Sequence, residues 1–138
     1  ELKLKDKIFV KGIVENDMLV STILPRYEIG VCPYLTKDNP SAPDHMFSGI
    51  DLTAKLVEYI AVGLPIVTTK LNDYFDNIEK NKFGYLVRSS AHWYNALKKL
   101  LSNHTLYKTY RNNALEFAKN YDEEKVLGPI FKKILKLH

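Results

Sequence analysis

Cysteine is nearly absent: Cys32 is the single thiol in 138 residues. One thiol excludes an intrachain disulfide and a thiol-rich metal site, and it fits a reducing compartment. Long apolar runs are absent too; none approaches the roughly 20 residues that cross a bilayer, and the chain does not open on a signal-peptide pattern. A cytoplasmic location is expected. The four histidines, His45, His92, His104 and His138, lie in separate segments without metal-ligand spacing, so no metal is expected. Excess charge of one sign is small. Lys plus Arg number 20 against 16 for Asp plus Glu, a net +4, which suits anionic ligands but falls short of a nucleic-acid-binding surface. No repeat or low-complexity tract interrupts the chain.

What is present is enough for one packed core: 46% hydrophobic and 12% aromatic residues. Strand character appears in the runs 7–11 (KIFVK), 28–34 (EIGVCPY), 65–69 (PIVTT) and 84–87 (GYLV). All but the first are apolar nearly throughout, as strands covered on both faces of a parallel sheet are. Helical patterns lie between them: 16–24, stopped by Pro25; 53–62, stopped by Gly63 and Pro65; and a more polar one over 71–81. From residue 89 the pattern turns wholly helical. Ser90 is read as the cap of a helix with Trp93, Leu97, Leu100 and Leu101 on one face. Asn103 or Thr105 opens the next, with Leu106, Tyr110, Ala114 and Phe117, and Asp122 opens a last one that Gly128 and Pro129 break. The fold class is therefore α/β: a Rossmann-like parallel sheet of about four strands flanked by helices over 1–88, with a helical tail over 89–138.

Sheets of this kind hold ligands beyond the carboxyl ends of their strands. The loop 35–52 sits at such an end, is long, and is rich in Pro, Asp, Asn, Ser and Gly, which favours function. It leads into KLVEYIAVGLPIVTT, residues 55–69, where an otherwise apolar helix carries one acid, Glu58. With Thr53 or Asp51 as cap and Lys55 in the first turn, that helix start offers a phosphate free N–H groups and an ammonium. Glu58, one turn deeper, can accept hydrogen bonds from two sugar hydroxyls. The spacing alone is equally that of a solvated Lys–Glu helix pair, worth a few tenths of a kcal/mol.

The run Glu58-Tyr59-Ile60-Ala61, Gly63, Pro65, Ile66-Val67 resembles, in register, the glutamate-bearing helix and following strand of retaining glycosyltransferases built from two Rossmann-like domains. KIFVKGIV, EIGVCPY, NIEKNKFGYLV and the helical ALKKLL and YRNNALEFAKNYDEEKV resemble further pieces of their C-terminal domain, in order. The resemblance implies a donor site for a nucleotide-diphospho-sugar and no other cofactor. In it Glu58 binds the ribose hydroxyls, Lys55 lies near the diphosphate or the donor sugar, and main-chain groups around Lys11, Gly12 and Ile13 meet the base. Tyr34 and Thr53 line the site with the loop, and His45 is a candidate sugar contact. The second glutamate that the family often carries eight residues before the first is here Ile50, leaving the neighbouring Asp51 to replace it and the sugar undefined.

The family's first two strand-helix units and its acceptor-binding domain have no counterpart in the sequence. The chain is accordingly expected to be a partial donor domain, inactive alone, of a hexosyltransferase whose acceptor, a sugar or lipid-linked glycan, is held by the missing domain. With two strands missing from the sheet, the strand at 7–11 either closes up beside the one at 28–34, giving a four-stranded sheet with a bare edge, or, the favoured reading, pairs with another copy of the chain. Cys32 reads as a core residue, Asp122-Glu123-Glu124 as a helix start, and Trp93, Tyr94, Tyr107, Tyr110 and Tyr121 as packing. The lysine-flanked stripe Ile130, Phe131, Ile134 and Leu135 leaves two readings open, packing and contact with an anionic membrane surface. The alternative from another class is a non-catalytic receiver-like or nucleotide-sensing module, which would need a phospho-acceptor Asp at a strand end.

Overall fold

Ile66, Val67 and Thr68 are fully buried in succession, and strand β2 (Ile66–Thr68) is the middle of the sheet. The computed structural model describes residues 7–34 and 52–122. Within them, β1 (Gly30–Cys32) and β3 (Gly84–Leu86) pair with β2 on either side, both parallel. Val31 faces Val67 in the first ladder, and Val67 faces Tyr85 in the second. Parallel neighbours need crossovers, supplied by helix α2 (Ala54–Ala61) before β2, and by a 3₁₀ turn (Asp73–Phe75) running into α3 (Asp76–Lys80) before β3.

The two faces of the sheet bury different residues because side chains alternate along a strand. On one face Cys32 and Ile66 pack with Leu56 and Ile60 of α2, with Phe75, Ile78 and Phe83, and with Ala114. On the other, Val67 and Val87 pack with Ala96 and Leu100 of α4 (Ser90–Ser102), joined by Trp93, Leu97 and Tyr110. Helix α5 (His104–Ala118) serves both: Phe117 lies 4.6 Å from Phe83, and Tyr110 stacks on Tyr85 at 5.2 Å. This is the expected Rossmann-like arrangement, with β2 as its doubly covered strand.

Helix ends follow from local chemistry. α2 closes with Gly63 at φ +75°, Gly63 N–H donating to the Ile60 carbonyl at 3.0 Å and Leu64 N–H to that of Tyr59 at 2.9 Å. That paired closure needs a left-handed residue, which glycine adopts without penalty. Ser89, not Ser90, caps α4 by accepting from His92 N–H; Asn103 caps α5 by accepting from Leu106 N–H at 2.9 Å. The polar segment 71–81 starts as a 3₁₀ turn because the Asn72 side chain accepts from Tyr74 N–H.

Several expectations are corrected. The run 7–11 forms no strand: Ile8, Phe9 and Val10 are exposed, and no strand lies beside them among the described residues. A strand holds its shape through a neighbour's hydrogen bonds, so apolar content alone does not make one. The sheet therefore has three described strands rather than about four. β1 has Val31 exposed, as an edge strand does, instead of being covered on both faces. Helix α1 (Asn16–Met18) runs into a widened turn at Leu19–Ile23 that ends just ahead of Pro25, which begins a single closing 3₁₀ turn at Leu24–Arg26 where its missing donor costs no hydrogen bond. Leu101, expected in the apolar face of α4, is 65% exposed. Asp51, His45, the rest of the long loop, and the segment from Glu123 onward with its acidic start, Gly128-Pro129 and apolar stripe lie outside the described residues.

Candidate functional site

β1 stops abruptly. Pro33 sits inside a tight three-residue turn in which Tyr34 N–H donates to the Cys32 carbonyl at 3.1 Å, and proline's fixed φ suits such a turn. The same carbonyl accepts from Thr68 Oγ1 at 2.8 Å. Thr69 Oγ1 then donates to the Tyr34 carbonyl at 2.8 Å. The carboxyl ends of β1 and β2 are thus sewn together by two successive threonines.

From that end the Tyr34 side chain reaches the start of α2, where its hydroxyl lies 2.5 Å from Thr53 Oγ1. Its ring stands edge-on to Phe75 at 6.3 Å. Thr53 is the residue before α2 and has the extended backbone of a helix cap, yet its side chain caps nothing. Its carbonyl takes the N–H groups of Leu56 and Val57, while its hydroxyl is engaged by Tyr34. The Thr53 main chain thus satisfies the N–H groups of Leu56 and Val57, while those of Ala54 and Lys55 ahead of them have no side-chain acceptor from their own cap.

Lys55 and Glu58 follow on α2, the lysine exposed and the glutamate half-buried. The ion pairs among the described residues are Lys70–Asp73, Lys70–Asp76 and Lys119–Glu116, so Lys55 and Glu58 are not paired with each other. Burial pushes the Cys32 thiol above its ordinary value, against the opposing pull of a Tyr34 hydrogen bond and the Lys55 charge, which sets Lys55 within electrostatic reach of the end of β1. Burial likewise raises Tyr34, opposed by Thr53, and raises Tyr59 to about 12, with Cys32, Tyr34 and Glu58 adding to the shift. The result is a neutral, hydrogen-bonded phenol and thiol cluster beside one cation and one carboxylate. An organic anion with hydroxyl groups suits such a surface: N–H groups and Lys55 for the anion, Glu58 for the hydroxyls.

Tyr34, Thr53, Lys55 and Glu58 are thus brought together around the end of β1 and the first turns of α2. Gly12 and Ile13 are not part of that cluster. They lie in the exposed segment before α1, Gly12 at φ +69° with open space around it and Ile13 with its side chain wholly in solvent. Thr68, Thr69, Tyr59 and Phe75 support the cluster and escaped the sequence reading. The Thr68-Thr69 pair ending an apolar strand was their one visible signal. The strands run on into Pro33-Tyr34, Thr69-Lys70 and Val87-Arg88. No carboxylate ends a described strand, where a receiver-like module would carry its phospho-acceptor. Among the described residues no group of three or more His, Cys, Asp or Glu is gathered as for a metal.

The family described as glycosyl transferases group 1 matches residues 1–103. The chain belongs to this family. No curated protein and no solved structure matches it. The family match takes in all three strands and α2 to α4, so the cluster at Tyr34, Thr53, Lys55 and Glu58 lies inside it, while α5 lies beyond. As a glycosyl transferase of group 1 the chain is of transferase type, and its parallel sheet flanked by helices is the Rossmann-like framework expected of such a domain. No helix among the described residues is long and apolar enough to cross a membrane.

Proposed function

We propose that the chain binds the donor of a retaining hexosyltransferase, a nucleotide-diphospho-sugar. In this reading the diphosphate rests on the open first turn of α2 and on Lys55. Glu58 accepts from the ribose hydroxyls, and main-chain groups at Gly12 and Ile13 meet the base when that segment closes over it. Asp51 takes the place of the family's second glutamate toward the sugar. The departing diphosphate is stabilised by fixed dipoles and one ammonium, without a metal. The observation that carries the reading is the engagement of the Thr53 hydroxyl by Tyr34, which keeps the Thr53 side chain from capping α2 beside a cation and a half-buried carboxylate that do not pair with each other.

Transfer also needs an acceptor, a sugar or lipid-linked glycan, held in line with the donor. In the family's two-domain plan that positioning, worth several kcal/mol, belongs to the other domain. The chain alone then binds donor without turning it over, at about millimolar affinity or roughly 4 kcal/mol. Titration with UDP-, GDP- and ADP-sugars, followed through amide chemical shifts, tests this. Shifts gathered at Thr53, Lys55 and Glu58, strongest for one base, are expected. Shifts confined to scattered lysines would identify nonspecific anion binding and overturn the assignment.

A further inference from the structure

At the opposite end of the sheet, a cavity of about 460 Å³ opens between the chain entering β1 and the corner where α4 meets α5. Its volume falls within the usual range of small-molecule sites. Arg26 and Glu28 form one wall, and His104, Tyr107 and Arg111 the other. Leu100 and Leu101 complete it with an apolar patch, which gives the 65% exposed Leu101 a place that the core does not.

Its charge is unbalanced. Among the described residues two guanidinium groups face a single carboxylate, and no carboxylate lies within ion-pair distance of Arg26 or Arg111. Arg111 is half-buried and anchored, donating from Nη1 to the Gly63 carbonyl at 3.2 Å. That bond uses one of its five donors and fixes the plane in which the others are offered. A partly desolvated guanidinium with no anion beside it among the described residues favours an oxyanion, and a bidentate one is the partner its fork matches.

We infer that this cavity is a second ligand site, taking a hydroxylated phosphomonoester such as a hexose phosphate. The phosphate sits between Arg26, His104 and Arg111, the hydroxyls donate to Glu28, and the carbon skeleton lies on Leu101 and Tyr107. The site is separate from the cluster at Tyr34 and Thr53, since Glu28 precedes β1 and Tyr34 follows it. Arg111 links the two ends: it holds Gly63, the residue that closes α2, and α2 begins at Thr53.

The test is a titration of the isotope-labelled chain with glucose 6-phosphate, inorganic phosphate and glucose. Saturable shifts at Arg26, His104, Tyr107 and Arg111 are expected, with glucose 6-phosphate saturating at lower concentration than inorganic phosphate and glucose giving none. Arg26 is exposed, so Arg26→Gln should fold normally, as its amide spectrum will show, and weaken glucose 6-phosphate binding about tenfold by removing a charged hydrogen bond. Unchanged affinity in Arg26→Gln would overturn the site, as would shifts spread evenly over surface lysines. Shifts confined to Thr53, Lys55 and Glu58 would also overturn it while leaving the donor site standing.

Discussion

Tyr34 joins three elements by three different contacts: its carbonyl to Thr69, its hydroxyl to Thr53 and its ring edge to Phe75. Replacing it with Phe removes only the hydroxyl contact, a loss of about 1 kcal/mol, but frees Thr53 to cap α2, a gain of similar size. Tyr34→Phe is therefore expected to leave the urea midpoint nearly unchanged while weakening donor binding, because the freed hydroxyl competes for the first-turn N–H groups. Glu58→Ala should weaken donor binding by roughly 2 kcal/mol through the loss of its charged hydrogen bonds to the donor, read in the same amide-shift titration. Tyr59 and Tyr110 supply a pH signature. Both are raised from the ordinary value of 10.0 to about 12, chiefly by burial. Between those values the folded chain keeps protons that the unfolded chain has lost, so stability must fall as pH rises from about 10 toward about 12. Urea midpoints at pH 9 and pH 11 measure that fall, and Tyr59→Phe should reduce it.

At the scale of the element, what the sequence discloses depends on whether its cause is local. The close of α2 is local: Gly63 supplies the left-handed turn and Pro65 prevents continuation, so the switch from helix to strand is readable from GLPIVTT. Gly63→Ala should destabilise the chain by about 1 to 2 kcal/mol from the left-handed backbone alone. Its Cβ would also meet Leu115 Cγ at 3.0 Å, a contact that the flexible end of Leu115 must yield to. Thermal unfolding of the variant reads the sum. The Lys55 and Glu58 positions on one helix were readable for the same reason, since 3.6-residue periodicity fixes them. The diversion of Thr53 was not, because its partner Tyr34 lies nineteen residues away in sequence. Gly30 was equally opaque. The Tyr59 ring lies against it, 2.2 Å from where a Cβ would stand, and nothing in EIGVCPY announces that approach. Strand character in KIFVK was readable as propensity and misleading as structure, because pairing is a property of two strands.

At the scale of the whole molecule, the described fold leaves one side of its sheet open. β2 is enclosed, β3 has Glu79 accepting from Leu86 N–H at its outer edge, and β1 has no strand beyond it among the described residues. Val31 on β1 is 40% exposed, and the run before α1 sets Ile8, Phe9 and Val10 at 62%, 78% and 91% exposure. An unpaired edge and an unpaired run of strand-forming residues in one chain are complementary between copies, since each supplies the backbone hydrogen bonds the other lacks. Concentration-dependent association is therefore expected in sedimentation velocity, through exchange of the 7–11 run onto β1 of a second copy. Two changes separate this from general stickiness. Val31→Lys puts a charge on the edge face and should abolish association while leaving the core intact, since Val31 belongs to neither buried cluster. Val10→Pro removes a donor from the incoming run and should do the same without touching the sheet. A sedimentation profile that stays monomeric at high concentration, or variants that associate as the wild type does, would show that the edge is covered in another way.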